Sequence, residues 1–342
     1  MATMAEFDYE LPESLIAQSP IEPRDSARML VALDYSIQHR HVRDLPEHLR
    51  PGDVVVVNNT KVIPARLHLE KATGGAVEVL LLERQPDNTW HALVKPGRRL
   101  PPGTVVRSRT GLEVEIGDRL EDGKRLVRVH YPGEDGPDDR GLEDALHLAG
   151  EAPLPPYITA PLLDADRYQT VYAEHPGSVA APTAGLHFTP ELLQRIAASG
   201  VALHYVDLTV GLDTFRPVSV DRPEDHVIHS ERYAVPEATM AACAAANRVI
   251  AVGTTTTRAL ESVAATGELT GRTRLFIHGE FTFSLVDVLL TNFHLPRSSL
   301  LLLLEAFAGP RWRSLYAEAI RLDYRFLSFG DCMLVDKVHR GR

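Results

Sequence analysis

The sequence predicts an α/β main domain with a mixed sheet, carrying a small inserted all-β, barrel-like domain. Three observations lead there. Residues 53–57 form a short apolar run after a Pro-Gly turn, the pattern of a buried strand. Roughly 65 residues of short alternating segments without a helix follow, which suits a small barrel or sandwich. Beyond about residue 155, strand and helix patterns alternate.

In order, the strands of the insert are expected at residues 65–70, 76–83, 89–95, 104–108, 112–116 and 125–131. Gly74-Gly75, Pro86-Asp87-Asn88 and Pro101-Pro102-Gly103 supply turns. The alternation in LEVEI and RLVRVHY predicts half-buried antiparallel strands. LEDALHLAG reads as a short helix ending at Gly150. Thr189 is expected to cap the helix PELLQRIAAS, with Pro190 at its first position. HYVDLTV, VIAVG, RLFI, DVLLTNF and CMLV read as strands. PEATMAACAAANR, RALESVAA, SLLLLLEAF and WRSLYAEAIRL read as helices. The division that follows is residues 1–64 with 156–342 for the α/β domain, whose first strand is 53–57, and residues 65–155 for the insert.

Composition narrows the class. With 342 residues, 44% hydrophobic and 24% charged, the chain reads as soluble and globular. Its two cysteines, Cys243 and Cys332, lie far apart, which speaks against a disulfide framework or a four-cysteine zinc site and suits a reducing cytoplasm. The N-terminus is acidic where a signal peptide needs a basic and then apolar run, and the leucine run 300–304 is too short to span a bilayer. A net charge of −10 is unusual for an RNA-binding protein, but residues 95–128 carry nine Lys+Arg against five Asp+Glu. That segment fits solvated strand faces first and phosphate contact second.

Several polar clusters stand at the ends of apolar runs, where side chains that are costly to bury signal converging strand ends around a ligand. VGTTTTRALES (residues 252–262) is strand, Gly-Thr turn and helix: Gly253, Thr254 and Thr255 fit an anion at a helix start, or simply a cap. Neither a P-loop lysine nor a G-x-G-x-x-G motif occurs, which disfavours ATP and NAD sites. Arg258 and Glu261, three apart, share a helix face and fit an ion pair. APTAGLHFTP (181–190) offers Thr183, a Gly185 whose bare backbone suits close approach, and His187, which equally suits a core histidine. TNFHLP (291–296) ends a strand with Asn292 and His294. VVVNNTKVIPARL (55–67) does so with Asn58 and Asn59, then carries Arg66; such an Asn pair reads a base edge or fixes a turn. EDHVIHSERY (224–233) sets His226 and His229 among Asp225 and Glu231, a pattern for proton transfer or surface ion pairs; no third ligand is spaced for a metal.

Read together with FDYELPESLIAQSP (7–20) and YRFLSFGDCML (324–334), these motifs resemble the S-adenosylmethionine:tRNA ribosyltransferase-isomerase family of queuosine synthesis over nearly the whole chain. The resemblance implies an α/β domain with an inserted β-barrel. It implies transfer and isomerisation of the ribosyl part of S-adenosylmethionine onto 7-aminomethyl-7-deazaguanine at the wobble position of a tRNA with a GUN anticodon, with adenine and methionine leaving and epoxyqueuosine formed. The partners implied are tRNA and S-adenosylmethionine, with no membrane and no cofactor beyond the consumed substrate, in a cytoplasmic monomer. Among the matching positions, His187, His229 and Glu231 are expected to move protons. Thr254, Thr255 and Arg258 are expected to hold a carboxylate or phosphate; Asn58, Asn59 and Asn292 a base or ribose hydroxyls; Asp331 an amine. Arg66, Thr183, Gly185, Gly253 and His294 complete the expected binding set.

The chain departs from the family pattern at Thr209 (usually histidine), Asp213 (glycine), Thr256-Thr257 (Ser-Val) and His278-Gly279-Glu280 (Tyr-Pro-Gly). The rival readings are a metal-dependent hydrolase built on His226 and His229, a non-catalytic RNA-binding module, and a phosphoribosyl-type transferase. The last needs an acidic pair for Mg²⁺-diphosphate that is not evident here.

Overall fold

The computed structural model describes residues 3–120, 123–131, 140–211 and 217–338; Asp213 lies outside them. In chain order the strands are β1 (Arg28–Leu33), β2 (Ser36–His41), β3 (Asp53–Asn58), β4 (Thr60–Val62), β5 (Arg66–Lys71), β6 (Ala76–Arg84), β7 (Thr89–Lys95), β8 (Thr104–Arg107) and β9 (Glu113–Arg119). They continue with β10 (Arg125–His130), β11 (Gly150–Glu151), β12 (His175–Ser178), β13 (Ala202–Leu208), β14 (Glu231–Ala234), β15 (Arg248–Val252), β16 (Thr270–Thr273), β17 (Val288–Asn292) and β18 (Cys332–Asp336). The α-helices are α1 (Arg140–Ala149), α2 (Pro190–Ala198), α3 (Glu237–Ala245), α4 (Thr254–Thr266), α5 (Ser299–Ala308) and α6 (Trp312–Arg321). The chain divides into two compact units. One comprises residues 1–60, 155–175 and 181–342, the other 61–154 and 176–180.

The first unit is built on a nine-stranded mixed sheet in the order β16-β14-β13-β3-β15-β17-β18-β1-β2. Strands β13, β3, β15 and β17 run parallel, so Leu208, Asn58, Val252 and Asn292 end along one edge. β17 then meets β18 antiparallel, a change of direction of the kind that opens a crevice beyond strand ends. β3, DVVVVN, is buried at every position because both faces of the sheet are covered. Val55 and Val57 join Leu192 and Ile196 of α2 in the core. Each such valine contributes up to about 1.5–3 kcal/mol by leaving water.

Three strands, not one, precede the insert. β1 and β2 escaped the sequence reading because β2, SIQHRH, has almost no buried face to generate a pattern. RLFI is not strand either: β16 ends at Thr273, although Thr273 and Ile277 still point inward. The other expected elements of this unit are present. Thr189 caps α2 by accepting the Leu192 amide at 3.1 Å, with Pro190 at the first position.

The second unit is an antiparallel barrel in the order β5-β6-β7-β10-β9-β8, closed by pairing of β8 back onto β5; β11 adds to β5. Closure removes edge strands. Alternation fills its interior with Leu67, Leu69, Val77, Val79, Val106, Val114, Ile116, Val127 and Val129. Among the described residues no helix is long and apolar enough to cross a membrane.

Candidate active site

Three of the polar motifs meet in one cavity of the first unit. Its wall includes Ala181–Ala184, Gly253–Thr255 and Thr291–Leu295, with Val210, Ser298 and Ser328. Gly253, at φ +90°, makes the turn from β15 into α4, and its amide donates to the Leu290 carbonyl at 2.8 Å. Helix α4 therefore begins at the cavity, where first-turn amides lack intrahelical acceptors and the helix end favours an anion. Strand β17 is held at its end by Phe293, which packs at 4.8–5.7 Å from the rings of Tyr316, Tyr324 and Phe326. That anchor sets Asn292 and His294 in the cavity wall on either side of it.

The amides fix this framework. Asn58 uses its whole carboxamide internally: Oδ1 accepts the amides of Thr60 and Leu208 at 3.2 and 3.1 Å, and Nδ2 donates to the Leu208 carbonyl and Thr255 Oγ1 at 3.0 and 3.4 Å. It clips β3 to β13 and to α4, so nothing is left over to read a base. Asn59 donates to Glu174 at 3.2 Å, and its buried Oδ1 has no partner among the described residues. Asn292 donates to the Leu327 carbonyl at 3.1 Å and accepts Thr183 Oγ1 at 3.1 Å, joining two of the motifs. His294 pairs Nε2 with Thr291 Oγ1 at 3.0 Å, and burial pushes its pKa down to about 3, so the ring is neutral.

Arg258 does not pair with Glu261. It is held by Glu231 on β14, and its Nε donates to the Leu275 carbonyl at 3.2 Å. Helical spacing suggested the local partner, but the neighbouring strand brings a carboxylate that is as deeply buried as the guanidinium. Glu261 instead accepts the amides of Ser284, Leu285 and Val286 at 2.8, 3.0 and 3.0 Å, organising the approach to β17. Glu231 also accepts the Gly211 amide at 3.3 Å, next to the wall residue Val210.

His187, Gly185 and Asp331 serve the scaffold. Both ring nitrogens of His187 face carbonyls, Ala184 at 3.0 Å and Gly330 at 2.9 Å, which leaves neither for a substrate proton. At Gly185 an added Cβ would lie 2.0 Å from Tyr172 Oη: the missing side chain makes room for this tyrosine rather than for a ligand. The cation that Asp331 holds is Arg28, at 3.3 Å, and it also accepts the amides of Arg28 and Arg325 at 2.8 and 2.7 Å.

The remaining positions lie outside the cavity wall. Arg66 belongs to the barrel, paired with Glu78 at 3.3 Å. His229 is exposed, two residues before Glu231. His226 packs against Phe276 at 5.4 Å; burial, then the nearby His229, lowers its pKa. Among the described residues no group of three His, Cys, Asp or Glu is arranged to hold a metal. Of the departures, Thr256 and Thr257 turn away from the cavity and donate to the carbonyls of Val252 and Gly253 at 2.7 and 3.2 Å. Thr209 donates its amide to the Arg232 carbonyl at 3.0 Å, and His278 lies 4.5 Å from Phe276. The sequence reading missed Tyr157 and Ser328, wall residues whose hydroxyls meet at 2.7 Å. Tyr157 sits in a proline-rich stretch with no periodicity to flag it; Ser328 adjoins the FGD motif.

An α/β sheet with a barrel inserted after its third strand, and a cavity at the carboxyl ends of its parallel strands, has the layout of an enzyme acting on a small polar substrate. The family model described as "Queuosine biosynthesis protein" matches residues 4–335. The chain is 50% identical over 343 residues to the S-adenosylmethionine:tRNA ribosyltransferase-isomerase of Moorella thermoacetica, covering 96% of this chain and 98% of that protein. It is 49% identical over 358 residues to the protein of the same name in Thermus thermophilus, covering 98% and 100%. A crystal structure of S-adenosylmethionine tRNA ribosyltransferase from Thermotoga maritima matches with a TM-score of 0.55 and 39% identity, over 96% of this chain and 99% of that one. The chain belongs to the queuosine biosynthesis protein family.

Proposed function

We propose that this chain is an S-adenosylmethionine:tRNA ribosyltransferase-isomerase and that the cavity between α4 and the end of β17 is where S-adenosylmethionine reacts. The observation that carries the reading is the meeting of three polar motifs at one cavity in a chain of this family. The acceptor is 7-aminomethyl-7-deazaguanine at the wobble position of a tRNA with a GUN anticodon; adenine and methionine leave and epoxyqueuosine forms. Residues 1–64 with 156–342 carry the reaction, and the barrel of residues 65–155 meets the tRNA body. The working form is a cytoplasmic monomer that needs no cofactor besides the consumed substrate.

The first turn of α4, with Thr254 and Thr255, suits the methionine carboxylate: the helix end attracts negative charge and two hydroxyls stand beside it. The sulfonium acidifies the ribose C5′ hydrogens, so a positioned base can remove one. Neutral His294 supplies a hydrogen-bonding ring without competing charge. The aminomethyl nitrogen must lose its proton before it attacks, and His229, exposed beside the Glu231–Arg258 pair, is the imidazole we assign to that proton. Positioning carries the remainder of the rate.

The test is turnover with S-adenosylmethionine and an anticodon stem-loop bearing the aminomethyl base. Chromatography should show adenine release and an RNA mass gain matching the epoxy-cyclopentanediol. Folded protein that releases no adenine beside a working relative would refute the reading.

A further inference from the structure

Antiparallel pairing of β14 with β16 sets Arg232 directly opposite Arg272, both exposed. Like charges placed opposite each other on a strand pair are destabilising, and an anion lying across them relieves that repulsion. Arg272 donates to Ser230 Oγ and to the Ser230 carbonyl, both at 3.0 Å. Arg232 and Arg274 have no ion pair among the described residues, whereas Lys95, Arg107 and Arg109 of the barrel each stand beside a glutamate.

Beyond the end of β16 the chain continues the same surface. Burial alternates from Arg272 to His278: Thr273 and Ile277 are buried, while Arg272 and Arg274 are exposed and Phe276 and His278 partly so. The rings of Phe276 and His278 lie 4.5 Å apart at an interplanar angle of 37°, and the His226 ring lies 5.4 Å from that of Phe276. Two cations followed by two aromatic rings is the composition of a groove that grips phosphates and stacks bases. On the inner side, Thr273 Oγ1 bonds Ser262 of α4 at 2.6 Å and the Leu275 carbonyl takes Arg258. The row is thus pinned to the helix that begins at the cavity.

We propose that Arg232, Arg272, Arg274, Phe276 and His278 form a binding surface for single-stranded RNA, the arginines taking backbone phosphates while Phe276 and His278 stack a base. This rests on the tRNA-modifying reading and locates the loop that flanks the reacting nucleotide.

The test is fluorescence-anisotropy titration of an anticodon stem-loop RNA over a salt series, with melting followed for every variant. Arg232→Ser combined with Arg274→Ser should reduce the slope of log affinity against log salt by about 1.4, two contacts at about 0.7 each. Phe276→Leu, which keeps apolar bulk, should weaken binding about 5- to 150-fold, while Phe276→Tyr, which keeps the ring, should stay within about twofold of wild type. In turnover these changes should raise the RNA KM and leave kcat at saturating RNA near wild type. Wild-type slope and affinity in all folded variants would overturn the proposal. Unchanged RNA affinity with an altered sedimentation coefficient would overturn it in favour of a second copy of this chain. Wild-type protein that binds no stem-loop would instead sink the tRNA reading itself.

Discussion

Removing the Arg258 guanidinium would take from the Glu231 carboxylate the cation buried against it. The two residues are 8% and 7% exposed, so water cannot replace the lost partner. After Arg258→Met, Glu231 would lose its buried guanidinium partner while the Gly211 amide still donates to it, and the Leu275 carbonyl would lose its donor. Breaking a buried pair from one side costs about 3–5 kcal/mol, because an uncompensated charge stays in a low-dielectric setting. Arg258→Met with Glu231→Leu removes both members of the pair and should cost only about 1–2 kcal/mol, the order of the displaced backbone hydrogen bonds. The double-mutant cycle should therefore be non-additive by at least about 4 kcal/mol. Urea unfolding read through Trp312 in a Trp90→Phe background isolates the sheet unit, since Trp90 belongs to the barrel. Single variants losing under about 1 kcal/mol, or a double whose loss equals the sum of the singles, would refute this reasoning.

Glu261→Gln should destabilise by about 2 kcal/mol and speed amide exchange at Ser284, because an NH₂ would then face a peptide donor. Gly185→Ala should cost about 1–3 kcal/mol by overpacking against Tyr172 Oη, and Tyr172→Phe should restore most of it, since that buried hydroxyl has no partner of its own among the described residues. His294 is held at about 3 in the fold against 6.5 unfolded, so the unfolded state binds the extra proton between those values. Its contribution to stability is full above about pH 6.5 and falls as pH drops towards 3, by up to about 1.4 kcal/mol per unit. A pH series of unfolding free energies should show a shallower acid decline for His294→Gln; parallel curves would contradict this.

The convergence of the site was legible because Thr, Asn, His and Gly at the ends of apolar strands have few inexpensive fates. GTTTT, APTAG and TNFH duly share one cavity. What each side chain does there was not legible. Partners across the sheet leave no local trace, so helical spacing points Arg258 to Glu261 while its carboxylate partner, Glu231, lies on β14. Gly185 reads in sequence as room for a ligand because Tyr172, which occupies that room, lies outside its motif. His187 and Asn58 have side-chain chemistry equally suited to catalysis and bracing, and only the surrounding carbonyls and amides tell which. In the fold, the parallel strands were visible through apolar runs, whereas the exposed edge strand β2 carried no such signal.

The central claim is that S-adenosylmethionine occupies the cavity at the start of α4. The most direct measurement is calorimetric titration of S-adenosylmethionine into wild type and into Thr254→Val and Leu300→Trp, two wall positions, with melting followed in parallel. The account predicts at least about tenfold weaker binding for Thr254→Val, about 1.4 kcal/mol for a lost hydrogen bond to a charged group, and no detectable binding once tryptophan fills the cavity. Wild-type affinity in both folded variants would place the substrate elsewhere and contradict the account.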